Sequence, residues 1–226
     1  MTTELSFVDF QCPYCGGEVS FPQDAAGSAQ DCPNCPECVI VPEDGSAVGR
    51  KVPIPATTAR LVLRRLRGLD WKDLIECQGG AAEEVEIVRW LESDAHVKLT
   101  TPGQPFFLGI EMAGGGKMVG YLSLSITDPQ RLQAALDVTV NKGFQRQGVA
   151  SEAWVALLDF CFLAIKLHRV TASCDSRNAA ASRLCEKAGM RREGEFLKDR
   201  QINGEWTNTL WYALLREEFL AAQKSV

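Results

Sequence analysis

Val138-Thr-Val-Asn-Lys-Gly-Phe-Gln145-Arg-Gln-Gly148-Val-Ala150-Ser-Glu-Ala153 reads as the end of a strand, a basic glycine-containing turn, and the start of a long helix. Upstream, Leu136, Val138 and Val140 alternate with Asp137 and Thr139, the two-residue period of a strand over Gln133 to Val140. Downstream, Val149, Ala153, Ala156, Leu157, Phe160, Ala164 and Leu167 keep the 3.6-residue period of a helix from Val149 to about Lys166. Such a junction suits an anion. The first N–H groups of a helix point outward without intrahelical partners, and the helix dipole favours negative charge there. Gly148 lets the backbone approach a ligand closely, and Arg146 adds a positive charge. A plain tight connection has the same local pattern, so the flanking sequence has to decide.

Before this stretch, Arg60 to Leu66 reads as a strand, and Asp70 as the N-cap of a helix carrying Trp71, Leu74 and Ile75. A second helix is expected over Glu83 to Leu91. Strands at Phe106 to Met112 and Lys117 to Ile126, joined by Gly114-Gly-Gly116, lead into Gln133 to Val140 as an antiparallel meander. After it come a strand at Arg169 to Cys174, a helix from Ala179 to Lys187 stopped by Gly189, and a hairpin at Asn203-Gly204. The last strand is Thr209 to Leu215. Strands with helices between them give an α/β or α+β domain.

Gln145-Arg-Gln-Gly148-Val-Ala150 resembles the Gln/Arg-x-x-Gly-x-Gly/Ala signature of the GNAT acetyltransferase superfamily. Asn178-Ala-Ala-Ala-Ser-Arg183-Leu-Cys-Glu186-Lys187-Ala-Gly189-Met190, followed by Glu193-Gly194, resembles the second signature of its RimJ/RimL-like branch, which acetylates ribosomal-protein N-termini. Thr58-Ala-Arg60-Leu-Val-Leu-Arg64 and Asn203-Gly-Glu-Trp, then Tyr212, Leu214 and Arg216, extend the likeness over about residues 57–220. The resemblance implies an α+β fold: a mixed, mostly antiparallel sheet splayed open beside Gln133–Val140, with flanking helices and acetyl-CoA in the opening. It implies that Val138, Thr139 and Val140 pair with the pantetheine. It further implies that the main chain of Gln145, Arg146, Gln147, Gly148, Val149 and Ala150 holds the pyrophosphate, and that Asn178 binds the pantetheine or lines the cofactor wall.

The reaction implied is attack of a neutral amine on a thioester, which needs a proton acceptor, a donor for the developing oxyanion and a proton for the leaving thiolate. Many relatives carry Glu at the position occupied here by Ala135. The nearest acid on that strand face is Asp137, which is the candidate base or else a solvated strand acid. A Tyr of many relatives falls at Cys185, and a Ser of the branch at Ala181. Ser182 is one step further along the helix, a rotation of about 100°, so the acid is unassigned. A main-chain N–H near Val138 is the expected donor to the thioester oxygen. Positioning with a water relay suffices for an α-amine of pKa about 7.7–8.0 and is harder for lysine. The expected acceptor is therefore the α-amine of a protein or peptide, with a polyamine or aminoglycoside as the nearest variant. The departures at Ala135, Ala181 and Cys185 also suit a non-catalytic acyl-CoA-binding adaptor. Trp90 and Trp206 are candidates for lining an acceptor pocket, the other tryptophans being core.

Residues 1–48 differ in kind. They hold eight acids and no Lys or Arg, so the net charge of −5 divides into −8 there and +3 in the remainder. Cys12-Pro-Tyr-Cys15, Val19 and Pro22 recur twenty residues later as Cys32-Pro-Asn-Cys35, Val39 and Pro42, each copy a knuckle running into a short strand. Paired Cys-x2-Cys knuckles have the spacing of a structural four-cysteine Zn²⁺ site, which staples a segment too small for its own core. Cys38 is a rival ligand, since Pro36 lacks the N–H that Gly16 can offer a thiolate, but the repeat aligns Cys35 with Cys15. The expected organisation is a zinc ribbon at 1–48, a proline-stiffened linker at 49–56 and the catalytic domain at 57–226. A ribbon without basic residues does not suit nucleic acid, and a closed four-thiolate site does not suit catalysis, which leaves a structural or protein-docking role. With 46% apolar and 23% charged residues among 226, ordinary globular composition excludes disorder. An odd number of cysteines, a start without a basic or long apolar region and no membrane span lead to the expectation of a cytoplasmic protein.

Overall fold

The computed structural model describes residues 6–35, 37–54, 56–80, 82–128 and 132–224. Pro36, weighed above for the ribbon, Pro55 of the expected 49–56 linker, and both chain ends lie outside them.

The larger sheet has eight strands in the order β12-β13-β11-β10-β9-β8-β7-β6. β6 (Ala56–Thr57), β7 (Leu61–Arg65), β8 (Pro105–Met112), β9 (Met118–Asp128) and β10 (Gln133–Val140) form the antiparallel meander. β11 (Arg169–Asp175), β12 (Arg191–Ile202) and β13 (Glu205–Leu215) continue it antiparallel, and only β10 and β11 run parallel. That pair needs a crossover. It is supplied by α3 (Val149–Asp159), whose last turns widen into a π-helical segment at Phe160–Ala164. The two-residue alternation along β9 and β10 sends Leu122, Leu124, Ala134 and Leu136 into the main core with Trp154 and Leu157 of α3.

The opposite face of the sheet meets α1 (Trp71–Cys77) and α2 (Glu84–Asp94), with Leu74, Ile87, Leu91 and Met118 buried between them. Asp70 does not cap α1 with its side chain. Its carboxylate is held by both terminal nitrogens of Arg64, at 2.8 and 2.9 Å, and accepts from Arg67 N, because the buried Arg64 guanidinium has the stronger claim on it. α4 (Ala179–Lys187) follows β11, and α5 (Arg216–Gln223) closes the chain with Phe219 against Phe162. Asn203 and Gly204 both have positive φ, 52° and 82°, at the β12–β13 turn.

The N-terminal segment makes two small sheets: β1 (Phe7–Gln11) with β2 (Glu18–Pro22), and β3 (Ala29–Asp31), β4 (Cys38–Ile40) and β5 (Arg50–Lys51). Residues 50–51, read from sequence as linker, thus add a strand beside Val39 and Ile40. Successive residues of β4 face different cores. Val39 joins Phe10, Val19 and Val41 inside the ribbon, while Cys38 and Ile40 join the main core with Leu99, Phe106 and Ile126. Ion pairs Glu43–Lys166 and Asp31–Lys98 fasten the same contact. No helix among the described residues is long and apolar enough to cross a membrane.

Candidate active site

β10 and β11 pair only at Gln133–Arg169, Ala134–Val170 and Ala135–Thr171. Beyond these rungs the strands part, although β10 stays bonded to β9 as far as Val140 and β11 to β13 as far as Asp175. The peptide groups of Leu136 to Val140 that would reach β11 in a continuous sheet are left facing the gap. Gly120 opposite Val140 permits this register, since a Cβ there would collide with the Thr139 carbonyl.

The turn above the gap is tied internally. Gln145 Nε2 donates to Val140 O, Gln147 Nε2 to Gly143 O, and Gly143 N to Asn141 Oδ1, each at 2.9 Å. The two glutamine side chains therefore shape the turn and leave ligand contacts to the main chain. Gly148 sits at φ +82°, and a Cβ would come 3.2 Å from Arg60 Nη2. No side chain caps the first turn of α3. Its one acid, Glu152, is turned aside by Thr58, Arg60 N and the Arg60 guanidinium, which hold its pKa below the usual carboxylate range. Arg146 has positive φ and an exposed side chain without an ion pair among the described residues. An uncapped helix start, a glycine at close approach and a neutralised acid fit a phosphate group.

Asp137 and Ala135 face a cleft of about 190 Å³ floored by Ser123 and Ser125 of β9 and walled by Thr171 and Ser173 of β11, Arg200 of β12 and Trp211 of β13. Burial raises the Asp137 pKa above the ordinary aspartate value, offset by a bond from Val138 N (2.8 Å) and by the charge of Arg200. The Val138 N–H, expected as the donor to the thioester oxygen, is thus committed to the Asp137 carboxylate. Trp90 packs edge-on against Phe107 and Tyr121 on α2's side of the sheet. Trp206 is exposed and does not line the cleft; Trp211, read as core, does, with Phe196 against its ring. Trp211 escapes a sequence reading because its place depends on the pairing of β13 with Ser173.

Asn178 caps α4, its Oδ1 accepting from Ala181 N at 3.1 Å, which leaves its amide N–H₂ as the group available to a ligand. Cys185 is buried, and desolvation pushes its thiol up to about 12. One residue past Ala181, Ser182 Oγ lies 2.6 Å from Tyr212 OH, and both reach Glu186 Oε1, at 3.3 and 3.4 Å. Tyr212 comes from β13, another partner invisible to local spacing.

In the ribbon, Cys12 and Cys15 lie in the β1–β2 turn and Cys32 and Cys35 in the β3–β4 turn. Their sulfurs lie within 4.8 Å of one another, with Cys12–Cys35 and Cys15–Cys32 both at 3.9 Å. Tetrahedral Zn²⁺ with Zn–S bonds of about 2.3 Å needs sulfur–sulfur edges of about 3.8 Å, so these thiols fit it. Cys38 stands apart, its sulfur donating to Asp31 Oδ1 at 3.3 Å.

The sequence pattern of the family described as "Acetyltransferase (GNAT) domain" matches residues 60–191. An uncharacterized N-acetyltransferase of Bacillus subtilis (strain 168), YnaD, is 42% identical over 79 residues, 35% of this chain and 46% of YnaD. Spermidine N(1)-acetyltransferase of Escherichia coli (strain K12) is 24% identical over 110 residues, 49% of this chain and 59% of the enzyme. The chain thus spans about half the length of these curated relatives. In three dimensions, the ribosomal alpha-N-protein acetyltransferase RimL, solved in complex with coenzyme A, matches with a TM-score of 0.63 at 18% identity. That match covers 71% of this chain and 97% of RimL, a likeness of fold.

Proposed function

This chain belongs to the GNAT acetyltransferase family, and from that premise we propose that it transfers acetyl from acetyl-CoA to a primary amine, the α-amine of a protein or peptide. The observation that carries this reading is the gap between β10 and β11, with an anion-suited turn above it and the Asp137 cleft beside it. Acetyl-CoA supplies the acyl group as a thioester, its C–S bond breaking as the amide C–N bond forms. Val138, Thr139 and Val140 offer the pantetheine those peptide groups that Asp137, Gln145 and β9 leave free, the main chain from Gln145 to Ala150 holds the pyrophosphate, and the free amide of Asn178 adds a donor. Asp137 takes the proton that the amine must lose, helped by a pKa that desolvation in the cleft raises above the ordinary aspartate value. The Ser182 hydroxyl, held by Tyr212 and Glu186, offers a hydrogen bond to the leaving sulfur, which takes its proton from water. An α-amine is the acceptor a single carboxylate base serves best, since its pKa of about 7.7–8.0 leaves a far larger neutral fraction than lysine's of about 10.4.

Cys12, Cys15, Cys32 and Cys35 hold a structural Zn²⁺. Nine free cysteines, several of them buried, suit a reducing compartment such as the cytoplasm.

The test is release of free thiol from acetyl-CoA against N-terminal peptides, lysine peptides, polyamines and aminoglycosides, beside a calorimetric titration with CoA. Turnover on N-terminal peptides is expected. CoA binding without turnover on any amine would favour an adaptor, and no CoA binding would overturn the placement on the turn and Asn178.

A further inference from the structure

The cleft beside Asp137 contains one negative and one positive side chain. Ser123, Ser125 and Ser173 contribute neutral hydroxyls and Trp211 a ring, so Asp137 and Arg200 are its only ionic groups among the lining residues. The two residues are placed differently. Asp137 stands on the strand that borders the gap, with one oxygen already bonded to Val138 N. Arg200 reaches in from β12, on the far side of the cleft, and the charge it adds is felt at both Asp137 and Cys174.

Arg200 also differs from its neighbours. The other arginines of β12 are ion-paired, Arg191 with Glu193 and Glu218 and Arg192 with Glu195. Arg177 and Arg169, beside the same sheet, pair with Asp175 and Glu205 and with Glu193. Arg200 has no ion pair among the described residues. A planar guanidinium with several N–H donors, left free beside a substrate cleft, is matched to a carboxylate. A polycation would place a second positive charge against it.

We propose that this cleft selects an acceptor that carries a carboxylate next to its amine, the amine facing Asp137 and the carboxylate facing Arg200. The inference rests on the amine-transfer reading and narrows its substrate class. Both an acidic residue at a peptide N-terminus and a free acidic amino acid present this chemistry.

The test uses the full zinc-loaded chain. Thiol release is measured with matched peptides beginning Glu or Gln, Asp or Asn, and Lys, with free glutamate and with spermidine. Binding of the corresponding N-acetylated products is measured by calorimetry in the presence of CoA. The wild-type protein is expected to prefer Glu- over Gln-starting peptides at least ten-fold in kcat/KM, with the same order in product affinity. Arg200→Gln should bring that ratio to about one, and Arg200→Glu should invert it in favour of Lys. Turnover of free glutamate with the same Arg200 dependence would support the proposal and identify the smaller acceptor. A wild-type preference for spermidine or Lys-starting peptides would overturn it while leaving amine transfer intact. So would an Arg200→Gln ratio equal to the wild-type ratio. If no amine is turned over, the amine-transfer reading fails, and the product-binding ratios still decide whether Arg200 reads the carboxylate.

Discussion

Influences of opposite sign act on the Asp137 carboxyl. Burial raises the carboxyl's pKa and Arg200 lowers it, so a base at this position loses activity as pH falls through a value above the ordinary aspartate range. The acid limb of kcat/KM is therefore expected above that range, and Arg200→Gln should move it to still higher pH; a limb that stays in place would separate Asp137 from the proton transfer. Asp137→Asn should lower kcat/KM by about 10²-fold, the contribution of a positioned general base, with CoA affinity by calorimetry showing that the fold is kept. Ser182→Ala should slow turnover more for a poor leaving thiol than for an activated thioester, whereas a purely structural role would slow both alike. Arg64 belongs to a different class. Its guanidinium, buried between Asp70 and Glu111, joins β7 to the start of α1, and its charge is held by both partners. Arg64→Met leaves the buried Asp70 carboxylate without its cation and the partly buried Glu111 with only Arg67, and should cost about 3–5 kcal/mol in urea unfolding.

At the scale of elements, the junction of β10 and α3 depends on Gly148. A residue with a Cβ there meets both the left-handed conformation and Arg60 Nη2. Gly148→Ala should weaken CoA binding in calorimetry by ten-fold or more while costing only about 1 kcal/mol of stability. β10 and α4 have the limits that their sequence pattern implies, because amphipathic alternation, an Asn cap and a glycine stop are local signals. β12 was not legible as a twelve-residue strand. It is an edge strand with nearly every side chain exposed, so no buried face imposes alternation on Arg191 to Ile202. α5 carries no helical period for a related reason: of its residues only Phe219 is buried. The cleft was half legible. Asp137 followed from strand parity, whereas Arg200, Trp211 and the Tyr212–Ser182 contact depend on pairings between strands and helices distant in sequence.

For the whole molecule, the ribbon is more than an appendage. Composition alone suggested a separate acidic module, and nothing in residues 38–40 announces which side of the strand meets which core. In the fold, Cys38 and Ile40 are buried with the residues under the main sheet, and Glu43 and Asp31 clasp Lys166 and Lys98. On the proposed zinc site, a chelator should therefore lower the melting temperature of the entire chain in one transition, and the proposed acetyl-CoA turnover should fall with it; two separate transitions would mean that the halves fold independently. The sheet itself has a different kind of weak line. Three rungs join β10 to β11, whereas seven residue pairs join β11 to β13 and eight join β10 to β9. Apart from the two pairs that hold the edge strand β6, the β10–β11 seam is the shortest of the sheet, so under tension the sheet would open there before it opened along its longer seams, and a ligand lodged in the gap would act as a stitch across it. A single-molecule pulling experiment should then record a higher rupture force once CoA is added, which makes mechanical strength a readout of occupancy that requires no acceptor.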